Sequence, residues 1–143
     1  MKEASRITAI VLLFLLGLSA LFGAFGLILD PSGKGMMLPE GTLDSTPFTN
    51  YLIPGILLGV FNGLLSLAIA ILVIMQVRLY PWLIIFQGFV LMIWLTAEVL
   101  MGMYYPALTL PYYILGVLLI ICGLFVRRNG TIRTARKRGD QQK

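Results

Sequence analysis

Few side chains in this sequence are able to do chemistry, and the most suggestive of them share one helix face. Gln87, Leu91, Trp94 and Glu98 follow one another at steps of four, three and four residues. At 100° per residue, Gln87 and Glu98 then stand about 20° apart around a helix. Leu91 interrupts the polar character, so the stripe has two polar ends rather than a continuous track. In a segment apolar enough for lipid, polar groups on one side face protein or water. Asn62, on the preceding apolar run, lies roughly two turns from that run's outer end. Glu98 lies near the outer end of its own run, so the two are expected at comparable depth, where they could meet. No apolar run contains a Lys, Arg or His to pair with Glu98. Its carboxyl is therefore expected to take a proton, to reach water at the outer surface, or to meet Lys34 folded back from a loop. Two readings follow for Glu98, Asn62, Gln87 and Trp94: structural or snorkelling groups, or an intramembrane site for a proton, cation or ligand.

Other chemistries are poorly supplied. The chain has no histidine and one cysteine, which excludes His-ligated haem or zinc, a His general base, an internal disulfide and a CxxC pair. Cys122 reads as a small packing residue. Pro31-Ser32-Gly33-Lys34-Gly35 resembles part of a phosphate loop, but Ile28 stands where the first glycine belongs and Gly35 where Ser or Thr is needed. Asn129-Gly130-Thr131 fits a glycosylation sequon on a stretch expected to face the cytoplasm. With no catalytic pair and no metal-ligand cluster, neither a cofactor nor a metal is expected.

The elements that position these residues are set by composition. Hydrophobic residues make up 59% of the chain and charged residues 12%, and the mean hydropathy is +0.93. A soluble fold of this size needs more polar residues to cover its surface, and a disordered chain would be less apolar. Four runs approach the roughly 20 residues that a membrane helix requires: about 7–29, 54–77, 82–101 and 108–126. They are long and lack alternation, so they read as helices rather than barrel strands. The sequence predicts one all-α integral membrane domain over 1–143, a four-helix antiparallel transmembrane bundle. The first run is expected to be kept rather than cleaved as a signal peptide, because it is long and no A-x-A site ends it.

Residues 30–53 form the only long connection. Asp44-Ser45-Thr46-Pro47 reads as a helix start, with Thr46 as cap and Pro47 as the first helical residue. A single helix from 47 to 77 would be about 46 Å long, more than a hydrocarbon core of roughly 30 Å. A break is therefore expected at Pro54-Gly55, leaving a short outer interfacial helix over about 47–53. That helix would anchor the loop or act as a lid over an outer cavity. Gly55, Gly59, Gly63 and Ser66 form a small-residue stripe on the second span. With Gly17, Ser19, Ala20, Gly23, Ala24 and Gly26 on the first, they predict a packing seam, intramolecular in preference to a homodimer face.

Sidedness follows from Lys and Arg. If the N-terminus is inside, ten of the eleven basic residues lie inside and only Lys34 lies outside. Both termini are thus expected in the cytoplasm. Tyr80 and Trp82 would mark the inner boundary, with Tyr51, Tyr104, Tyr105, Tyr112 and Tyr113 at the outer one. The tail over 127–143 carries Arg127, Arg128, Arg133, Arg136, Lys137 and Arg138, which suit anionic lipid headgroups. It has no aromatic residue to stack bases, so nucleic acid is not an expected partner.

The stretch Leu43-Asp44-Ser45-Thr46-Pro47-Phe48, then Tyr51-Leu52-Ile53-Pro54-Gly55 and Asn62-Gly63, with Trp94-Leu95 and an acid at 98, resembles small four-span bacterial inner-membrane proteins, a loose group near the DoxX-like proteins. The resemblance spans nearly the whole chain and rests on length, topology and loop. It implies a four-span fold in a bacterial cytoplasmic membrane. DoxX proteins are associated with quinone-linked sulfur oxidation, but the arginine they tend to carry inside the first span is not present here, Arg6 standing at its edge. Three functions follow in order: a non-enzymatic accessory or scaffold protein with a membrane-protein partner, a small transporter or channel with an outer-facing polar cavity at Glu98 and Asn62, and a quinone- or lipid-handling protein.

Overall fold

The computed structural model describes residues 2–39, 41–44, 46–102 and 106–142. It is all-helical, with no strand among these residues. Four helices are long and apolar enough to cross a membrane: α1 (Lys2–Leu29), α2 (Leu52–Ile74), α3 (Tyr80–Leu100) and α4 (Pro106–Gln141). A helix of this kind satisfies its backbone within its own segment, which is what hydrocarbon demands. The links after α2 and α3 are short, so consecutive helices run antiparallel.

The helices close a ring in chain order. α1 packs most extensively along α2 and also against α4, while α3 packs against α2 and, more extensively, against α4. One end of the bundle holds the N-terminus, the link at 75–79 and the basic part of α4. The other holds the loop over 30–51. Ala9, Leu13, Leu16, Ile69, Val73, Ile84, Leu119 and Val126 are buried and fill the half nearer the termini. Large apolar side chains including Phe22, Phe25, Leu29, Ile93 and Leu100 cover the outside, a surface suited to lipid rather than water.

Two glycine seams set the close approaches. A Cβ on Gly55 would stand 2.8 Å from Leu27 Cβ, one on Gly59 3.0 Å from Ala24 Cβ, and one on Gly63 2.7 Å from a Leu21 methyl, all on α1. Gly17 answers from α1, where a Cβ would meet Leu67 at 2.7 Å and the Gly63 carbonyl oxygen at 3.2 Å. The second seam lies between α3 and α4. A Cβ on Gly88 would approach the Gly116 carbonyl oxygen to 2.9 Å, and one on Gly123 the Pro81 carbonyl oxygen to 3.0 Å.

The segment before α2 departs from expectation. No separate helix forms over 47–51, and Pro47 is not a helical residue. Thr46 Oγ1 accepts the Phe48 N–H at 3.3 Å and donates to the Leu43 carbonyl at 2.8 Å, which makes a local turn and no more. The helix starts at Leu52, whose N–H is taken by Asn50 Oδ1 at 3.1 Å. Pro54 then falls in the first turn, where its missing N–H has no intrahelical acceptor to lose, so the helix runs through Pro54-Gly55 without a break. The irregularity comes later, as a π turn over Gly59–Leu64. The short helix that does form between α1 and α2 is a 3-10 turn, Lys34–Met36.

That loop is tied at both ends. Asp30 accepts the N–H groups of Ser32 and Gly35, at 3.2 and 2.8 Å, as well as the Ser32 hydroxyl. The Ser32 hydroxyl first, and then the Gly35 N–H, hold the Asp30 carboxyl below the usual aspartate range. The Tyr51 N–H donates to the Pro31 carbonyl at 2.9 Å, which brings the two ends of the loop together. Gly33, at φ +75°, lies against the Tyr51 ring, 2.8 Å from where its Cβ would be. Both the backbone and the ring therefore require glycine there.

At the other end α4 is longer than expected. It begins with Pro106 at the first helical position rather than at Leu108, which leaves Pro111 in the second turn. It then continues past Val126 to Gln141. Its 36 residues span about 54 Å at 1.5 Å each, so the basic stretch is a helical extension beyond the apolar part. The Arg127 guanidinium sits 4.2 Å above the Trp82 ring, a cation–π contact that pins the start of this extension to α3. Arg128, Arg136, Lys137 and Arg138 are exposed along it. Tyr104, Tyr105, Lys143 and the side chain of Arg133 lie outside the described residues.

Candidate functional site

The half of the bundle nearer the loop is hollow. A cavity of about 460 Å³ lies between all four helices, with largely apolar walls in which leucine is the commonest residue. Met36, Leu38 and Tyr51 come from the loop and the start of α2 and line it at that end. Phe22 of α1 and Leu108 of α4 also line it, and both are exposed on the outside of the bundle. The cavity therefore reaches the apolar exterior between these two neighbouring helices.

Three of the four sequence-predicted site residues line this cavity: Asn62, Trp94 and Glu98. On α3, the i, i+4 spacing brings Trp94 under Glu98, and the indole N–H donates to Glu98 Oε1 at 2.8 Å. Glu98 itself is half-buried. Asn62 is fully buried, and neither its Oδ1 nor its Nδ2 has a hydrogen-bond partner in the protein. Asn62 and Glu98 therefore share a cavity but do not bond to each other, contrary to expectation. The reason is depth. α2 begins at Leu52, so Asn62 is about 15 Å along its axis from that end, whereas Glu98 is about 3 Å from the end of α3. Glu98 and Trp94 stand near the rim, and Asn62 is nearer the floor.

Gln87, the fourth residue, does not line the cavity. It lies deeper in the bundle, fully buried, and its Nε2 donates to the Phe61 carbonyl at 3.1 Å. Phe61 belongs to the π turn, whose displaced backbone offers a carbonyl to a side-chain donor. Gln87 thus braces the turn that carries Asn62. Gln87 Oε1 and Ser66 Oγ, one helical turn beyond Asn62, are buried with no protein partner. They extend the polar region below the floor. Gly55, Gly59 and Gly63 line the α1 face of α2, and their close approach keeps α1 against the π turn.

Sequence reasoning did not place Tyr51, Thr109, Tyr112 or Ser19 at a site, yet all four line the cavity. The Tyr51 hydroxyl is buried with no protein partner, and Thr109 is buried on α4. Thr109 is a hydroxyl residue in an otherwise apolar helix start, which is its one signal in the sequence. Ser19 was visible only as part of a run of small residues on the first span.

The arrangement offers binding chemistry. It combines an apolar volume with an amide that can both donate and accept, a carboxyl group held by an indole, and several aromatic rings. Glu98 is bonded to an indole and not to a nucleophile, so no acid–base pair is assembled at it among the described residues. No protein family, curated protein or solved structure matches this chain.

Proposed function

We propose that this chain is a non-enzymatic membrane protein that holds one small amphiphile in the loop-end cavity. The ligand has an apolar body and a hydrogen-bonding group that reaches Asn62. One observation carries this reading: a fully buried amide with no protein partner lines an otherwise largely apolar cavity of about 460 Å³. Ligand pockets typically occupy about 300–1,000 Å³ and pair apolar walls with a few convergent polar groups. Leaving such an amide unpaired costs about 1–3 kcal/mol, which a ligand able to donate and accept would recover. A scaffold or accessory subunit needs neither the cavity nor the amide. The mouth beside Phe22 and Leu108 faces the apolar exterior, so the ligand exchanges with the bilayer. The basic residues gathered at one end support both termini lying in the cytoplasm, and the resemblance of the sequence to small four-span inner-membrane proteins supports a bacterial inner membrane.

The test fills the cavity. Ala20 lines it and is 4% exposed, so Ala20→Phe puts a phenyl ring into the volume. Leu15→Phe, on the outer surface, is the control. Native mass spectrometry of protein extracted in mild detergent should show one bound organic species in the wild type and in L15F, and none in A20F. Wild-type protein that carries no such species, and takes none up from total lipid extract, would overturn the reading. So would A20F with an undiminished load.

A further inference from the structure

We infer that the amphiphile is a lipophilic cation, with Glu98 as its counter-charge. This rests on the cavity being a ligand site and goes on to fix the ligand's charge.

Among the described residues that line the cavity, Glu98 is the one charged side chain, and none is Lys or Arg. The chain contains no histidine. Low-dielectric walls focus the field of a lone carboxylate. A fatty acid or other anion entering this space would meet like charge with nothing to neutralise it. A neutral molecule would leave the carboxylate without a counter-ion. A single indole N–H, at 2.8 Å from Oε1, orients the carboxylate but brings no positive charge. A carboxyl away from bulk water either takes a proton or is paired, and a cationic guest supplies the pairing that keeps Glu98 ionised.

The rings around the carboxyl fit the same guest. Trp94, Tyr51 and Tyr112 all line the cavity with Glu98. Indole and phenol faces attract ammonium and other organic cations, most strongly when water is excluded. Trp94 combines two functions, since its N–H fixes the carboxylate while its ring lies beside the same space. The guest's apolar body would occupy the leucine-lined part toward Leu58 and Leu91. The hydrogen-bonding group on that body reaches Asn62. The two poles lie at different depths, so the class is a cation with an apolar body of some length. A compact hydrated ion such as Na⁺ or K⁺ does not suit walls this apolar.

The test uses two probes of the same shape and opposite charge, tetraphenylphosphonium and tetraphenylborate. Both are isotopically labelled and titrated against full-length protein in phosphatidylcholine nanodiscs, with empty discs subtracted. Saturable binding of the cation, one per protein, without saturable binding of the anion, is the expected result. Glu98→Gln should weaken the cation at least about tenfold, while Glu98→Asp, which keeps the charge, should retain most of the binding. Equal binding of both ions, unaffected by E98Q, would overturn the cation assignment and leave the cavity reading standing. The same holds if neither ion binds while the co-purifying species is still present and lost in A20F. Absence of both probe binding and any co-purifying species would remove both readings. If E98Q does not fold, the contrast between the two probes on wild type and E98D decides the matter alone.

Discussion

A buried amide with no partner in the protein is a burden that leucine at the same position would not carry. This makes Asn62 the residue at which stability and binding are expected to part company. Asn62→Leu removes both orphaned atoms from a site with open space beside it. In ligand-free protein it should melt at the same or a higher temperature, by about 1–3 kcal/mol at most, and it should lose the bound species seen by native mass spectrometry. A lower melting temperature would show that the amide holds the π turn together instead. Much at this scale was legible in advance. Asn62 and Glu98 are conspicuous as polar groups in apolar runs, and the Trp94–Glu98 bond follows from helical spacing. The relation between Asn62 and Glu98 was not legible, because it depends on where two different helices begin. Shifting the start of the second span from Pro54 to Leu52 moves Asn62 deeper by about 3 Å. The share taken by Met36 and Leu38 comes from a loop folded against helices distant in sequence, which no local pattern records.

Helix pairing was legible where glycines recur within one helix and obscure where they do not. Gly55, Gly59 and Gly63 stand at steps of four and mark the face of α2 that meets α1. Gly88 is alone in α3, and Gly116 and Gly123 are seven apart in α4, so the α3–α4 contact leaves no stripe to read. It is nonetheless the tighter of the two against backbone: a Cβ on Gly88 would lie 2.9 Å from the Gly116 carbonyl oxygen and 3.2 Å from the Ile120 nitrogen. Backbone cannot swing aside as a side chain can. Gly88→Ala should therefore push α3 from α4 and cost about 1–3 kcal/mol. Gly23→Ala is the matched control on α1, where the new methyl group would meet only a Leu58 methyl at 3.5 Å. Thermal denaturation in mild detergent should lower the midpoint for G88A well beyond that for G23A. Equal shifts would mean that the helices separate without cost. The missing helix over 47–51 has a related origin. Capping residues announce a helix start, but a segment this short does not sustain one.

At the scale of the whole molecule, hydropathy identifies the four spans because hydrocarbon forces each to satisfy its own backbone, a constraint that acts locally along the chain. Orientation is different, since it depends on charge summed over distant segments. The up-down order of the bundle gathers Lys2, Arg6, Arg78 and the basic extension of α4 at one end and leaves Lys34 at the other. That extension is helical, and Arg127 is already engaged with Trp82, so its remaining charges project from a rod rather than from a loose tail. Basic flanks are retained on the cytoplasmic side during insertion, and the bias here is one-directional. The prediction is tested with cysteines, since the chain has one and Cys122 is only partly exposed. In a Cys122→Ala background, Thr49→Cys reports the loop, where residue 49 is exposed. Gly139→Cys reports the extension, where a new Cβ meets nothing within 4 Å. A membrane-impermeant maleimide applied to intact spheroplasts should label T49C at once and G139C only after the membrane is opened. The reverse pattern would invert the bundle and turn the cavity mouth toward the cytoplasmic leaflet. Labelling of both sites in intact spheroplasts would mean that the chain inserts in two orientations, and the charge at one end would then not be what sets the fold in the bilayer.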